Sequence, residues 1–456
     1  MWKRIEENIS KHREKEVPAL DIWQLAQERL NPAKYRPVRI TDVEIAEVTS
    51  ATGAKRYMVR NPNNNKYIAM GEEELFLWNL MDGQNTLKDL VLEYLSKYGG
   101  IGEQVLLNLL GLLKSNGFLK EKPAPVMQSL MIRFQGRKSV VRLMSAINFF
   151  MHKTFTSKRV DGYFDWLYRH IARPLYSRPA LIIILFLLIT GLALFAYFFF
   201  VQHISLLISR HGASIHDIIS IMLISYISIC IHEHAHGLTV KHYGRKVLRA
   251  GLMLYFGSPI AFVDTTDIWM KPRNPRMAVS FAGPCCNGII ASLLFLIALF
   301  LPDITARSIL IQGGLLNTIL FLANLLPIAE TDGHYIIQDY LEMPRLRPQS
   351  FSFIRRGMWQ KLARREHWAK NDFIHLAYGL VAVAGAGLLL YIGVHLWFTT
   401  GARLAGALLS RRLLLAEIFA VLMGITATVA VVHYGLRWAR PAVSLEHVLE
   451  THIERR

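Results

Sequence analysis

A long apolar run without a single charged side chain constrains the fold of this chain most strongly. It extends from Pro179 to Val201 and consists mainly of leucine, isoleucine, phenylalanine and alanine. Roughly 20 apolar residues in a helix cross the hydrocarbon core of a bilayer, where unpaired backbone groups are costly. Further apolar stretches of similar length follow, and 52% of the 456 residues are hydrophobic. The sequence therefore predicts a mainly α-helical membrane protein, a polytopic helical bundle.

We predict about six membrane spans, at residues 179–201, 215–236, 277–301, 308–328, 374–398 and 413–434. A shorter apolar stretch, from Ala250 to Val263, has about 14 residues and is too short to span comfortably. Basic residues flank it on both sides, and basic flanks mark the cytoplasmic side of a membrane protein. Both of its ends are therefore expected on the same side, which makes the stretch a re-entrant segment.

The net charge of +18 does not indicate a nucleic-acid partner. Between Ala33 and Lys120 the chain has 11 Lys and Arg against 10 Asp and Glu, so this region is almost neutral. The basic excess lies beside the apolar segments, in residues 133–159 and 345–365. This distribution is typical of a multi-pass protein whose basic loops stay in the cytoplasm. We expect a bacterial cytoplasmic membrane, with the polar N-terminus on the cytoplasmic side.

The second predicted span ends in a pattern of metal-binding residues, His232-Glu233-His234-Ala235-His236. On a helix, His232 and His236 lie one turn apart on the same face, so both imidazoles can reach one Zn²⁺ ion. Glu233 then lies beside the water that such an ion binds. Charged groups within an apolar helix of membrane length are costly and usually mark a functional site. His234 is expected to face away from this site.

A catalytic zinc ion typically has three protein ligands and one water. The candidate third ligand lies in Glu330-Thr331-Asp332-Gly333-His334, directly after the fourth predicted span. Asp332 is favoured because an aspartate followed by glycine suits a helix end, while Glu330 and His334 stay open as alternatives. If residues 250–263 are re-entrant, Asp332 reaches the side of the membrane where His236 lies. If they span, Asp332 lies ~30 Å away.

Three motifs in this order on membrane segments resemble the site-2 protease family of intramembrane zinc peptidases. They are the His-Glu-x-x-His helix, then Phe281-Ala-Gly-Pro284-Cys-Cys-Asn287, and then Asp332-Gly333. The resemblance implies zinc ligands at His232, His236 and Asp332. It further implies that Glu233 is the general base and that Asn287 binds the substrate.

The chain departs from this family at Thr331, where a leucine usually precedes the Asp-Gly pair. This departure leaves the assignment of Asp332 open to test. Asn287 also has a purely structural interpretation, since a Gly-Pro site followed by asparagine can pack helices through an interhelical hydrogen bond.

The segment from Arg36 to Lys120 predicts a small cytoplasmic α+β domain, because period-two alternation is followed by helical patterns. Three strands are predicted, at residues 38–45, 57–60 and 66–70. Three helices are predicted after them, at residues 72–81, 86–98 and 102–116. The second helix begins with a capping box formed by Thr86 and Asp89.

This segment resembles the PqqD-like fold, a winged-helix-like module that binds leader peptides of ribosomally made, modified peptides. The resemblance rests on Leu77-Trp-Asn-Leu-Met-Asp-Gly83, Thr86-Leu-Lys-Asp-Leu90 and Leu112-Leu-Lys-Ser-Asn-Gly-Phe-Leu119. It implies that a peptide adds to an edge of the sheet as an extra strand. A generic three-helix domain with a β-hairpin is the alternative.

These patterns divide the chain into seven predicted parts. They are a helical extension (1–35), the PqqD-like peptide-binding domain (36–120), a basic and aromatic linker at the membrane surface (121–178), the membrane catalytic core (179–340), a basic cytoplasmic loop (341–373), the C-terminal spans (374–440) and a cytoplasmic tail (441–456).

The sequence predicts an enzyme, a zinc metalloendopeptidase that cleaves a peptide or a transmembrane protein with metal-activated water. The expected substrate is a modified peptide that the N-terminal domain captures for maturation or export, alongside export or peptide-modification partners. Two alternatives stay open. One is a regulated intramembrane protease that cleaves a transmembrane regulator, and the other is a non-catalytic component of an export or maturation complex.

Overall fold

The structure of the protein is a computed structural model. It describes residues 35–49, 55–120, 154–157, 159–203, 215–255, 258–327, 331–343 and 346–409. The chain divides into two compact units, Met1–Arg133 and Phe134–Arg456. The predicted sixth span at residues 413–434 and the predicted tail lie outside the described residues, as does the predicted extension up to residue 34.

The N-terminal unit contains a three-stranded antiparallel sheet and three helices. The strands are β1 (Glu44–Thr49), β2 (Lys55–Asn61) and β3 (Lys66–Met70), and the helices are α1 (Glu72–Leu80), α2 (Leu87–Tyr98) and α3 (Glu103–Asn116). Strand β2 is central, with Val59 opposite Ile45 of β1 on one side and Ile68 of β3 on the other. One hydrophobic core joins the sheet and the helices, with Val59, Trp78, Leu90, Leu109 and Phe118 buried in it.

The helix caps of this unit lie where the sequence predicts them, and one strand begins later than predicted. Thr86 and Asp89 cap α2 reciprocally, and Gly117 ends α3 in a left-handed conformation with a φ of 72°. The first strand begins at Glu44, later than predicted, because Val38 pairs with Asp82 in an isolated bridge instead.

The second unit is mostly helical. Its helices are α4 (Asp161–Leu167), α5 (Arg178–Ala196), α6 (Ile215–His242), α7 (Arg273–Phe300), α8 (Ile304–Leu325), α9 (Asp332–Leu341), α10 (Leu346–Ser352), α11 (Met358–Arg364) and α12 (Lys370–Leu409). Short π-helical turns follow α4, α5 and α10, and 3-10 turns precede α5 and α7.

Four helices in the described part of the chain are long and apolar enough to cross a membrane. They are Arg178–Val201 (α5 with its π-helical turn), α7, α8 and the first part of α12, Lys370–Leu388. Helix α6 carries the polar side chains of the predicted metal site in its second half. The length and composition of the four helices are those of membrane-spanning segments.

Small residues bring the long helices of this unit close together. Gly191 of α5 faces Ser292 of α7, and a Cβ atom at position 191 would lie 2.1 Å from the serine Oγ. That hydroxyl donates a hydrogen bond to the carbonyl oxygen of Leu187 at 2.6 Å. Gly314 of α8 lies against the ring of Phe295 of α7 in a similar way. Packing through small residues and hydroxyl groups is typical of membrane helices, and here it holds α7 between α5 and α8.

The short apolar stretch forms a β-hairpin. Its strands are β5 (Ala250–Tyr255) and β6 (Ser258–Val263). A third strand, β4 (Thr154–Ser157), pairs antiparallel with β5, so that β6 is an edge strand of this sheet. The sequence did not indicate β4, because its pairing depends on residues far along the chain. The hairpin places β6 next to α6, which carries the histidines.

Candidate metal centre

The two histidines of the His-Glu-x-x-His pattern point to one place. Both lie on α6, and their Nε2 atoms are 3.1 Å apart. Only 8% of His232 and 7% of His236 is exposed. The helical spacing predicts this common face, and the structure shows it.

Asp332 reaches the same place from the first position of α9. Its Oδ2 lies 3.2 Å from Nε2 of His232, and its Oδ1 lies 3.4 Å from Nε2 of His236. Gly333 permits this position, because a Cβ atom there would lie 2.2 Å from the carbonyl oxygen of Leu325. The glycine of the Asp-Gly pair is therefore required by a close approach of two backbone segments.

The three donor groups have the spacing that a tetrahedral zinc ion needs. Zinc bonds to histidine nitrogen and carboxylate oxygen are ~2.0–2.2 Å long, which separates neighbouring ligand atoms in a tetrahedron by roughly 3.3–3.5 Å. The two Nε2 atoms are 3.1 Å apart, Oδ2 of Asp332 lies 3.2 Å from that of His232, and Oδ1 of Asp332 lies 3.4 Å from that of His236. Two imidazoles and one carboxylate leave a fourth position open, as in catalytic zinc sites. The residues present therefore fit Zn²⁺.

Gly283 of α7 makes room for this centre. A Cβ atom at this position would lie 2.3 Å from Nε2 of His236 and 2.5 Å from Nε2 of His232. Any other side chain would therefore occupy the space in which the two ligand nitrogens converge. The sequence contained a signal for this role, since Gly283 belongs to the Phe-Ala-Gly-Pro motif, but only the structure shows what the glycine faces.

Two backbone groups orient the side chains of the centre. Nδ1 of His236 lies 2.7 Å from the carbonyl oxygen of Val279, so Nδ1–H donates and Nε2 keeps its lone pair for a metal. The backbone N–H of Val263, at the end of β6, donates to Oε2 of Glu233 at 3.0 Å. Sequence reasoning missed both contacts, because backbone groups leave no trace in residue identity.

Glu233 lies beside the centre, and Asp332 lies within it. One oxygen of the Glu233 carboxylate is within 4.8 Å of ligand atoms of both histidines. That carboxylate is held by Val263, whereas the Asp332 carboxylate contacts both histidines at 3.4 Å or less. The distances therefore favour Asp332 over Glu233 as the third donor group.

Three other residues that the sequence singled out lie outside this cluster of side chains. Asn287 is buried one helical turn beyond Gly283 on the same face of α7, and its Oδ1 has no hydrogen-bond partner among the described residues. His234 bonds through Nε2 to the hydroxyl of Tyr163 at 3.1 Å. His334 is buried, with Nδ1 2.8 Å from the hydroxyl of Tyr378. Glu330 lies outside the described residues.

A partly open cavity of about 300 Å³ lies against the centre. Its wall includes Glu233, His236, Val263, Arg276, Asp332 and Asp339.

The pKa values of two carboxyl groups of α9 are shifted in opposite directions. Burial raises the pKa of Asp332, but hydrogen bonds with His232 and His236 outweigh it and bring that pKa to about 2. Burial raises the pKa of Asp339 to about 6, against the opposing charge of Arg276.

Three curated proteins show similarity to part of the chain. The "Putative peptide zinc metalloprotease protein YydH" of Bacillus subtilis is 27% identical over 126 residues, which are 27% of this chain and 49% of that protein. A zinc metalloprotease of Methanocaldococcus jannaschii is 28% identical over 122 residues, which are 26% of this chain and 34% of that protein. An uncharacterised protein of the same archaeon is 41% identical over 66 residues, which are 14% of this chain and 18% of that protein.

These matches are partial on both sides. The chain spans between 18% and 49% of the length of these relatives. No protein-family model matches the chain. No solved structure matches it either.

Proposed function

We propose that this protein is a membrane-embedded zinc endopeptidase. One observation carries the proposal: His232, His236 and Asp332 converge at zinc-ligand spacing while Glu233 lies beside them. Two of the similar proteins are named as zinc metalloproteases, which supports the same chemistry here. The proposal includes the finer assignment to a site-2 type of intramembrane protease, which rests on the order of the three motifs along the chain.

In this proposal His232, His236 and Asp332 hold the ion, and Glu233 transfers protons. Bound zinc supplies Lewis acidity, which lowers the pKa of water and polarises a scissile carbonyl group. Glu233 accepts a proton from the attacking water and delivers it to the leaving amine. The N–H of Val263 fixes one oxygen of the Glu233 carboxylate, so the base keeps its position through both transfers.

The substrate is proposed to bind as an extended strand beside β6. A peptide bond within a helix is shielded by its own hydrogen bonds, so the scissile segment has to be unwound. Strand β6 is at an edge of its sheet, and its last residue, Val263, bonds to Glu233. A strand added at this edge would run toward the catalytic glutamate. Asn287 is proposed to bind the same segment, since its buried Oδ1 has no hydrogen-bond partner among the described residues and a substrate N–H would supply one.

The N-terminal unit is proposed to be a PqqD-like module that captures the substrate peptide. Strands β1 and β3 are the edges of its sheet, and Ile45 of β1 is 49% exposed. An exposed edge with apolar side chains is suited to receive a peptide strand. The name of the Bacillus relative contains the word peptide, which supports a peptide as the substrate, and a role in peptide maturation or export is part of this proposal. We further propose a multi-pass arrangement with the N-terminal unit in the cytoplasm.

The test combines zinc content with proteolysis. Wild type and the variants His236→Ala and Glu233→Gln are purified in mild detergent, and zinc is measured by mass spectrometry. Fluorescein-labelled casein, an unfolded protein, is the probe for cleavage. We expect about one zinc per chain and cleavage in the wild type, zinc without cleavage in Glu233→Gln, and neither in His236→Ala.

Two results would overturn the proposal. A wild type that retains zinc but cleaves no faster than Glu233→Gln would favour a non-catalytic component of an export or maturation complex. A wild type without zinc after gentle purification would remove the metal centre itself.

A further inference from the structure

The cavity beside the metal centre is also lined by an arginine and an aspartate that the proposed mechanism does not use. Arg276 comes from the first turn of α7 and Asp339 from the last turn of α9. Nε of the arginine lies 3.5 Å from Oδ1 of the aspartate, and 17% and 13% of these side chains are exposed. Both residues line the cavity.

Helical spacing relates this pair to the metal centre. Arg276 precedes Gly283 by seven residues on α7, and Asp339 follows Asp332 by seven residues on α9. Seven residues are close to two helical turns, so each member of the pair lies on the same helix face as a residue of the centre. Two turns also set the distance along each helix at roughly 10 Å. An extended peptide covers that distance with about three residues.

The contact between Arg276 and Asp339 is long for two largely buried charges. Arg276 Nε is buried and has no hydrogen-bond partner among the described residues. Charge-assisted hydrogen bonds are usually about 2.7–2.9 Å long, which is shorter than the 3.5 Å observed here. A buried charge without full compensation is unfavourable. The raised pKa of Asp339 reflects the same incomplete compensation.

A second ion pair, whose aspartate is fully buried, has the shorter contacts that are typical of a structural ion pair. Arg245 Nη2 lies 2.8 Å from Oδ1 of the fully buried Asp267. The other carboxylate oxygen accepts from the backbone N–H of Lys246 at 2.8 Å, and the Asp267 carbonyl oxygen accepts from Arg245 Nε. Both carboxylate oxygens of Asp267 are bonded, and neither Arg245 nor Asp267 lines the cavity, whereas Arg276 and Asp339 do line it and Nε of Arg276 has no hydrogen-bond partner among the described residues.

We propose that Arg276 binds a carboxylate of the substrate about three residues from the scissile bond, and that Asp339 positions the guanidinium before substrate enters. Among the described residues that line the cavity, Arg276 is the only lysine or arginine. Its planar fork of donors matches a carboxylate. The carboxylate belongs to an acidic side chain or to the C-terminus of a short peptide. This inference rests on the proposed zinc endopeptidase.

The test uses peptide hydroxamates, because a hydroxamate binds zinc without requiring turnover. Two series carry the hydroxamate at either end of the peptide. Three residues away, each series has glutamate, glutamine or lysine, and the series with the hydroxamate at the N-terminal end also has a free C-terminal carboxylate. Dissociation constants are measured in detergent for wild type, Arg276→Gln, Asp339→Asn and Arg273→Gln. Arg273 is the matched control, since it is one turn away on α7, lies over the Tyr340 ring and does not line the cavity.

We expect wild type to bind one of the carboxylate probes more tightly than the glutamine probe by roughly tenfold or more. The glutamate and terminal-carboxylate arms identify the source of the group. Arg276→Gln should lose this preference and bind the glutamine probe as wild type does, which also shows that it is folded. Arg273→Gln should keep the full preference, whereas Asp339→Asn should keep only part of it, because Arg276 is still present but its guanidinium is no longer positioned by a carboxylate.

Equal binding of charged and neutral probes by zinc-loaded wild type would overturn the subsite alone. A carboxylate preference that survives Arg276→Gln would also overturn it. So would tighter binding of the lysine probe that is lost in Asp339→Asn, or the failure of every probe to bind the zinc-loaded protein. Zinc content is measured on the same samples. A wild type without zinc would overturn the proposed endopeptidase, and the subsite with it.

Discussion

Oδ2 of Asp332 lies 3.2 Å from Nε2 of His232, although one hundred residues separate the two in the chain. Asp332 begins α9 and His232 lies within α6, with α7 packed against both. Two glycines make the contact possible: Gly283 keeps α7 away from the ligand nitrogens, and Gly333 lets α9 begin against the end of α8. The metal centre therefore depends on close packing as much as on the ligands.

Replacing Gly283 with alanine should remove zinc from the protein. The new Cβ atom would lie within 2.5 Å of both ligand nitrogens, and backbone or imidazole would have to move. Zinc content by mass spectrometry should fall to near zero. Gly387→Ala on α12 is the matched control, since no atom lies within 4 Å of a Cβ there. A Gly283→Ala protein with full zinc content would contradict the proposed position of the metal.

Asp332 and His334 should respond differently to substitution. Asp332→Ala should lose zinc, because its carboxylate contacts both ligand nitrogens. His334→Gln should retain zinc, since the structure places His334 Nδ1 on the hydroxyl of Tyr378. Zinc titration of both proteins distinguishes them. The opposite pattern, with zinc lost only in His334→Gln, would transfer the third ligand to His334.

Asp267→Ala should destabilise the protein by about 3 kcal/mol, because it removes a fully buried carboxylate that pairs with the guanidinium of Arg245. Asp267 also holds the backbone of Lys246, after the end of α6. The free energy of unfolding in detergent and denaturant measures the effect. An exposed pair, Lys55 with Glu47, provides the comparison. Lys55→Ala should change stability far less than Asp267→Ala, because exposed ion pairs contribute little, and equal effects of both substitutions would be inconsistent with a structural role for Asp267.

Asp339 should give stability a pH dependence of known sign. Its pKa is about 6 in the folded protein against an ordinary value of 3.8, so between these values the folded state binds more protons than the unfolded state. The free energy of unfolding contributed by this group is therefore present below pH 4 and falls as pH rises through 6, by roughly 2–3 kcal/mol.

The measurement compares the Tm of wild type with that of Asp339→Asn between pH 4.5 and 7.5. The Tm of the variant minus that of wild type should increase with pH, because asparagine does not titrate. Loss of metal at low pH affects both proteins and cancels in the difference. A difference that stays constant with pH would show that Asp339 titrates normally.

Local signals account for the parts of this protein that could be predicted. Five of the six predicted spans coincide with helices α5, α6, α7, α8 and α12. The spacing of His232 and His236 is a property of any helix, and the capping box of α2 needs only four consecutive residues. The sixth span and Glu330 lie outside the described residues. The roles of individual site residues and the PqqD-like character of the N-terminal unit stay predictions.

The sequence by itself determined the membrane-length apolar helices, the paired histidines and the choice of residues able to bind zinc, because these depend on composition and on neighbours within one or two helical turns. Tertiary structure alone decided three other features. They are the pairing of β4 with β5, the space that Gly283 leaves at the ligand nitrogens, and the meeting of Arg276 with Asp339 in the cavity. The physical reason is that backbone hydrogen bonds and close contacts between distant segments depend on how whole helices pack, which residue identity at one position does not encode.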